Sequence, residues 1–273
     1  MTFRGAAPTS QQSGRFGPMH KGRTMTITKE DELTRLREIG RIVADTLRAM
    51  TRATEPGITT RELDEIGRVF LEREGAVSAP QSAYDFPGAT CISVNEEIAH
   101  GIPGARVIAA GDLVNIDVSA SKNGYFADTG ASFQVAPRHA ALDQLCRDGR
   151  RAMEIGIAEV GAGKPLAGIG KAIGRFASDR GYTLIRNLAS HGIGRALHEH
   201  PEAIPTWPER GEKRRINKGL VLTVEPFLST GGQWAGEGDD GWTLYSEPCA
   251  PVVQYEHTVV ATQRGAIVLT LPS

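Results

Sequence analysis

Cysteine is scarce in this chain and unhelpfully spaced. The 273 residues contain three, Cys91, Cys146 and Cys249, with no C-x-x-C pair among them. That disfavours a disulfide framework and a thiolate zinc site, and it favours a reducing compartment. An excess of one charge is also missing: 31 Lys and Arg stand against 32 Asp and Glu, a net charge of −1. No broad basic surface for nucleic acid is implied. No apolar run reaches the roughly 18 residues that a membrane span needs. The phosphate-cradling G-x-x-x-x-G-K-[ST] and the nucleophile elbow G-x-S-x-G are absent. The stretch HEHPE (198–202) approaches the zinc motif H-E-x-x-H, but position 202 is Glu and the motif fails.

The first 29 residues lack acids and carry Arg4, Arg15, Lys21 and Arg23 among Ser, Gly, Pro and Gln. They have no apolar h-region, so they do not read as a secretory signal. An acid-poor, Arg-containing end also describes a transit peptide, and Met25 opens the ordered-looking MTITKEDEL as an alternative start. The expectation is a flexible extension over residues 1–25 without catalytic function, followed by a single catalytic domain over 26–273.

What is present is a globular composition, 40% hydrophobic and 23% charged, enough for a sizeable core. Thr28 is the expected cap of a first helix with Asp31 and Glu32 in its first turn. Leu36, Ile39, Val43, Leu47 and Met50 follow at helical spacing. After Pro56-Gly57, Thr59 and Glu62 form a capping-box pattern for a second helix. Strands are expected at 91–94, 113–119 and 125–135. Two helices over about 138–160 and 166–180 follow, then strands at 219–225, 251–261 and 266–271. Two helices and then strands, twice over, predict an α+β fold with two similar halves meeting near Pro137. The stretches 209–218 and 231–241 read as exposed loops.

Five residues stand out against this apolar background: Asp117 in VNIDVS, Asp128 in YFADTG, His191 in SHGIG, Glu225 in LTVEPF and Glu256 in QYEHTVV. Alone, each has an ordinary reading as a solvated strand charge or a hydrogen-bonded histidine. Together, four acids and an imidazole in strand-like sequence are costly to bury without a cation. A hairpin loop centred on Lys122-Asn123 would set Asp117 directly opposite Asp128, Cβ atoms about 4.5–5.5 Å apart. A loop at Asn123-Gly124 would offset them, and the metal reading prefers the first register. Carboxylates and imidazole without thiolate suit Mn, Fe(II), Co or Zn. Two such ions could share carboxylates and activate water.

At these residues the chain resembles type I methionine aminopeptidases, from about Thr26 to Thr270. The resemblance rests on CISVNEEIAHGIP (91–103), VNIDVS (114–119), GYFADTGASF (124–133), SHGIGRALHEHP (190–201), LVLTVEPF (220–227) and QYEHTVV (254–260). It implies the pita-bread fold, with pseudo-twofold halves around a central antiparallel sheet. It also implies two divalent metal ions, with Asp117 as a two-oxygen ligand and Asp128 and Glu256 as bridging carboxylates. His191 and Glu225 would ligate the other metal, with Glu225 also handling the proton of the attacking water. His100 and His198 match two non-ligand histidines that hydrogen-bond the scissile peptide. Cys91, Phe86 and Trp242 fall at positions that line the methionine pocket.

The implied activity is removal of the initiator methionine when the second residue is small. The implied partners are nascent polypeptide N-termini, with transient ribosome contact, in a cytoplasmic monomer; no docking feature is visible in the sequence. Leu197, Pro80, Ala83 and His200 depart from the family pattern and put the pocket shape in question. An Xaa-Pro peptidase of the same fold is the alternative, although the chain has no room for the large extra N-terminal domain of those relatives. A metal-free binding module is the other, and it would require lost ligands.

Overall fold

The capping signals near the start of the domain both produce helices: α1 (Glu30–Ala53) and α2 (Thr60–Arg73). At α2 the box closes as expected. Thr59 Oγ1 accepts from the Glu62 N–H at 3.2 Å, and Glu62 Oε2 accepts from the Thr59 N–H at 2.9 Å. At α1 the cap falls one residue later than expected, on Lys29. Glu32 reaches back instead, its Oε2 accepting from the N–H of Thr28 at 2.9 Å and of Lys29 at 3.1 Å. A carboxylate in the first turn satisfies the orphan donors there and complements the helix dipole. This description comes from a computed structural model and covers residues 26–273; the expected N-terminal extension, and Met25, lie outside it.

The first half continues through β1 (Val77–Ser78), α3 (Ala79–Tyr84), β2 (Cys91–Val94), β3 (Glu97–Ala99), β4 (Leu113–Lys122) and β5 (Tyr125–Gln134). The second half opens with α4 (Ala140–Ala158) and α5 (Ala167–Asp179), repeating the order of the first. Its strands are β6 (Thr183–Leu184), β7 (Ser190–Gly192), β8 (Glu199–Ile204), β9 (Val221–Val224) and β10 (Phe227–Ser229). They are followed by β11 (Trp234–Glu237), β12 (Leu244–Glu247), β13 (Val252–Thr262) and β14 (Gly265–Val268).

The main sheet runs β1-β4-β5-β13-β9-β7-β8, and its pairings are antiparallel. β13 joins the halves because it pairs with β5 on one side and β9 on the other. Under the first half, Leu36, Ile39 and Val43 of α1 pack on Val114, Ile116 and Val118 of β4. Under the second, Leu145 of α4 and Ile169 and Ile173 of α5 pack on Leu222, Val224 and Val259. Each such aliphatic side chain contributes roughly 1.5–3 kcal/mol on burial. Strand alternation then sends the intervening residues, Asp117 and Asp128 included, toward the opposite face.

The hairpin register differs from the one the metal reading preferred. Lys122 pairs with Tyr125, so Asn123-Gly124 is the two-residue loop and Asp117 lies opposite Gly130, with Asp128 opposite Ser119. The reason is local. Asn123 and Gly124 have φ of 54° and 75°, the left-handed pair that a type I′ turn requires and that Asn-Gly adopts readily. The aspartates are therefore diagonal neighbours on one face. The 231–241 stretch is also more ordered than a loop, because β11 within it pairs with β12. The 209–218 stretch does form a loop. The six-residue α3, capped by Ser78 with Pro80 in its first turn, is too short to announce itself by periodicity.

Candidate metal centre and cleft

The hairpin register builds one row of side chains across four strands. Cys91 on β2 pairs with Asp117 on β4, Asp117 with Gly130 on β5, and Gly130 with Glu256 on β13. Gly130 has no side chain, and the Gln254 amide takes the space where its Cβ would stand. Asp128, two residues back along β5, enters from the same face. From the other half, the His191 N–H donates to Thr223 Oγ1 at 3.1 Å, and that hydroxyl donates to Glu225 Oε1 at 2.7 Å. The Glu225 N–H donates to Ser190 Oγ at 2.9 Å. His191 Nε2 then lies 3.5 Å from Glu225 Oε1.

Glu256 is oriented by its neighbours. Gln254 Nε2 donates to Glu256 Oε2 at 3.0 Å, while Asn115 Nδ2 donates to Gln254 Oε1 at 2.9 Å. That leaves Glu256 Oε1 without a hydrogen-bond partner, and Asp128 Oδ1 is likewise unpartnered and buried. Ligand atoms of Asp128, His191 and Glu256 all lie within 4.8 Å of one another. Two orphaned, buried carboxylate oxygens beside an imidazole fit a hard divalent cation, because an unpaired buried acceptor is otherwise costly.

The electrostatics point the same way. Burial pushes Asp117 up to about 6 and Glu225 up to about 8, with the Asp117 charge adding to the latter. Burial, and then the other carboxylates, push Asp128 and Glu256 well above the usual carboxylate range. Burial lowers His191 and His100 to about 4, and His198 falls well below its ordinary value with both neighbouring histidines adding to the effect. Neutral imidazoles beside crowded acids are a site built for added positive charge rather than for protons.

Above this cluster lies a cleft of about 530 Å³, its open mouth included. It is lined by nine of the ten residues singled out in the sequence: Phe86, Cys91, His100, Asp117, Asp128, His191, His198, Glu225 and Trp242. Glu256, the tenth, sits beneath, 1% exposed. Phe86 and Trp242 meet edge to face, centroids 5.2 Å apart. Asp240 holds the Trp242 turn by accepting from the N–H groups of Trp242 and Thr243, each at 2.8 Å. Burial and the surrounding carboxylates push the Cys91 thiol up, so it stays protonated and lines the cleft as a small apolar group.

Of the departures from the family pattern, Pro80 and Leu197 line the cleft. His200 points to solvent near Glu202. Ser119, on the same strand face as Asp117 by alternation, lines the cleft too. The sequence reading passed over Tyr84, which also lines it, and over Gln254 behind Glu256. Gln254 carried a usable signal, two residues before Glu256 on an alternating strand. Tyr84 carried none, since it ends the short helix that periodicity does not reveal.

Gly130→Ala tests the support of Glu256. A Cβ there would lie 2.3 Å from Gln254 Oε1, displacing the amide that orients the carboxylate. A stability loss of about 1–3 kcal/mol is expected in thermal melts. Metal affinity should fall about 10–100-fold by titration; unchanged affinity would show that Gln254 does not orient Glu256.

The model of metallopeptidase family M24 matches residues 34–263, and the chain belongs to that family. Its curated relatives include methionine aminopeptidase 2 of Bacillus subtilis, 44% identical over 247 residues, 90% of this chain and 99% of that protein. A methionine aminopeptidase of Staphylococcus epidermidis is 46% identical over the same length, 90% of this chain and 98% of that protein. Among solved structures, methionine aminopeptidase from Rickettsia prowazekii superposes with a TM-score of 0.86 at 32% identity, covering 90% of this chain and all of that one. The fold is the expected pita-bread arrangement of helices and antiparallel sheet. The prolidase from Pyrococcus furiosus shares it at 20% identity and a TM-score of 0.72, with 66% of its length covered.

Proposed function

We propose that this chain is a methionyl aminopeptidase that removes the initiator methionine from nascent polypeptides whose second residue is small. The observation that carries this reading is the set of five ligand-type side chains, two with orphaned oxygens, at the foot of a cleft walled by Cys91, Phe86 and Trp242. Asp117, Asp128, His191, Glu225 and Glu256 would hold two divalent ions, with Co, Mn, Fe(II) and Zn all compatible with the donor set. Such ions, when bound, supply Lewis acidity and lower the pKa of water.

The residues of the chain supply the rest. Glu225, held by the Thr223 hydroxyl, is suited to take the proton of the attacking water and pass it to the leaving amine. His100 and His198 are kept neutral by burial and can donate an N–H to the scissile carbonyl as it gains negative charge. Phe86, Trp242 and the Cys91 thiol offer an apolar wall on which a thioether packs well. Among the described residues no helix is long and apolar enough to cross a membrane. Action on emerging chains by a cytoplasmic monomer that meets the ribosome transiently completes the proposal.

Hydrolysis of Met-Ala-Ser, Met-Lys-Ser and Ala-Pro-Ala, each with Mn(II) or Co(II) and again with a chelator, tests it. Release of methionine from Met-Ala-Ser alone, lost on chelation, is expected. Cleavage of Ala-Pro-Ala instead would place the chain with Xaa-Pro peptidases, and no cleavage of any peptide by the metal-loaded protein would leave a binding module.

A further inference from the structure

We propose that Tyr84 is a positioning residue that locks His198 in the tautomer carrying its proton on Nε2, so that this nitrogen donates into the cleft. The proposal rests on the aminopeptidase reading for its consequence, though not for its geometry. The Tyr84 hydroxyl lies 2.5 Å from His198 Nδ1, and the two rings lean together with centroids 5.5 Å apart. Burial, with the nearby Asp128 charge, pushes the Tyr84 phenol up to about 12, so it keeps its proton. A phenol is a better donor than acceptor, and a neutral imidazole has one lone-pair nitrogen to offer. The short contact is therefore O–H to Nδ1, which places the ring proton on Nε2.

His191 makes the contrast clear. Its ring lies against that of His198, centroids 4.0 Å apart and tilted by 42°. Its Nδ1, however, faces the Gly192 carbonyl oxygen at 3.0 Å, and a carbonyl can only accept. His191 thus carries its proton on Nδ1 and turns an Nε2 lone pair toward Glu225. Two adjoining imidazoles hold opposite tautomers, each set by what stands at Nδ1: a carbonyl in one case, a phenol in the other. The tasks are opposite as well. A lone pair suits a cation, whereas an N–H suits a carbonyl oxygen gaining negative charge. With its proton on Nδ1, His198 would present a lone pair to that oxygen and repel it.

Tyr84→Phe keeps the ring packing and removes only the hydroxyl. The decisive measurement is the ¹⁵N spectrum of histidine-labelled, zinc-loaded full chain, with His198 assigned among the seven histidines by comparison with His198→Asn. In the unmutated protein the proton should sit on Nε2, with Nδ1 in the hydrogen-bonded range. In Tyr84→Phe, Nδ1 should move to the range of an unbonded nitrogen or share the proton. For Met-Ala-Ser, kcat should fall about tenfold while KM stays within about twofold, as for a lost transition-state interaction. A proton on Nδ1 in the unmutated protein, an unmoved Nδ1 resonance in the variant, an unchanged kcat, or a change confined to KM would each overturn the proposal. If the chain lacks aminopeptidase activity, the spectrum still reads the Tyr84–His198 bond, so the two failures are distinguishable.

Discussion

Asp128→Asn is expected to abolish turnover and yet raise the melting temperature of the metal-free protein. Asp128 is 7% exposed, with one carboxylate oxygen unpartnered and three other acids around it. Without a cation, folding must either bury its charge beside theirs or keep it protonated. Asparagine has nearly the same shape and needs neither. The gain should be a few degrees, since about 1 kcal/mol shifts a domain of this size by roughly 2–4 °C. It should grow from pH 5 to pH 8, because the penalty that Asn removes grows as Asp128 is asked to ionise. The loss should be larger. A neutral amide cannot replace the carboxylate as a ligand, and kcat/KM should drop on the order of 10³-fold or more as water activation is lost. Scanning calorimetry of the metal-free protein and a Met-Ala-Ser assay measure both effects. A variant that keeps a tenth of the activity would sink the role of Asp128 as a metal ligand.

The stabilisation conferred by metal should itself depend steeply on pH. In the metal-free fold, burial raises Asp117 from 3.8 to about 6 and Glu225 from 4.5 to about 8, and raises Asp128 and Glu256 well above their ordinary values. Each folded-state value exceeds the unfolded one, so between them the folded state binds more protons. Their contribution to stability falls as pH rises from about 4 toward 8. Below the ordinary histidine value of 6.5 the buried imidazoles of His100, His191, His198 and His257, whose folded values are lowered, act in the opposite sense, so the net loss is expected from about pH 6.5 to 8. A divalent cation reverses this by replacing the protons. At pH 8, Mn(II) at a hundred times its Kd should add about 2.7 kcal/mol. That is roughly 5–10 °C at about 2–4 °C per kcal/mol. At pH 5 protons compete and the shift should shrink. Melting curves with EDTA and with Mn(II) at both values provide the check; a metal-induced shift as large at pH 5 as at pH 8 would count against a carboxylate-rich centre.

The sequence by itself determined the long helices and the main strands, because hydrophobic period and capping chemistry are local; the short elements, such as α3 and β11, escaped it. Leu36, Ile39 and Val43 predicted α1, the Thr59–Glu62 box predicted the start of α2, and the alternation in VNIDVS put Asp117 on the face away from Val114, Ile116 and Val118. The costly residues were legible too, since an acid or histidine inside an apolar strand is conspicuous whatever it contacts. Only the tertiary structure decided their arrangement. The turn at Asn123-Gly124 overruled the register that would have opposed the two aspartates, because two consecutive left-handed residues suit Asn-Gly better than Lys-Asn. Gly130 then became the place between Asp117 and Glu256 where the Gln254 amide fits, a role no property of the glycine itself reveals. Tyr84 meets His198 across 114 residues of chain, and Asn115 meets Gln254 across 139. Such contacts follow from β13 drawing the two halves into one sheet, and long-range pairing of that kind leaves no periodic trace in either partner's own neighbourhood.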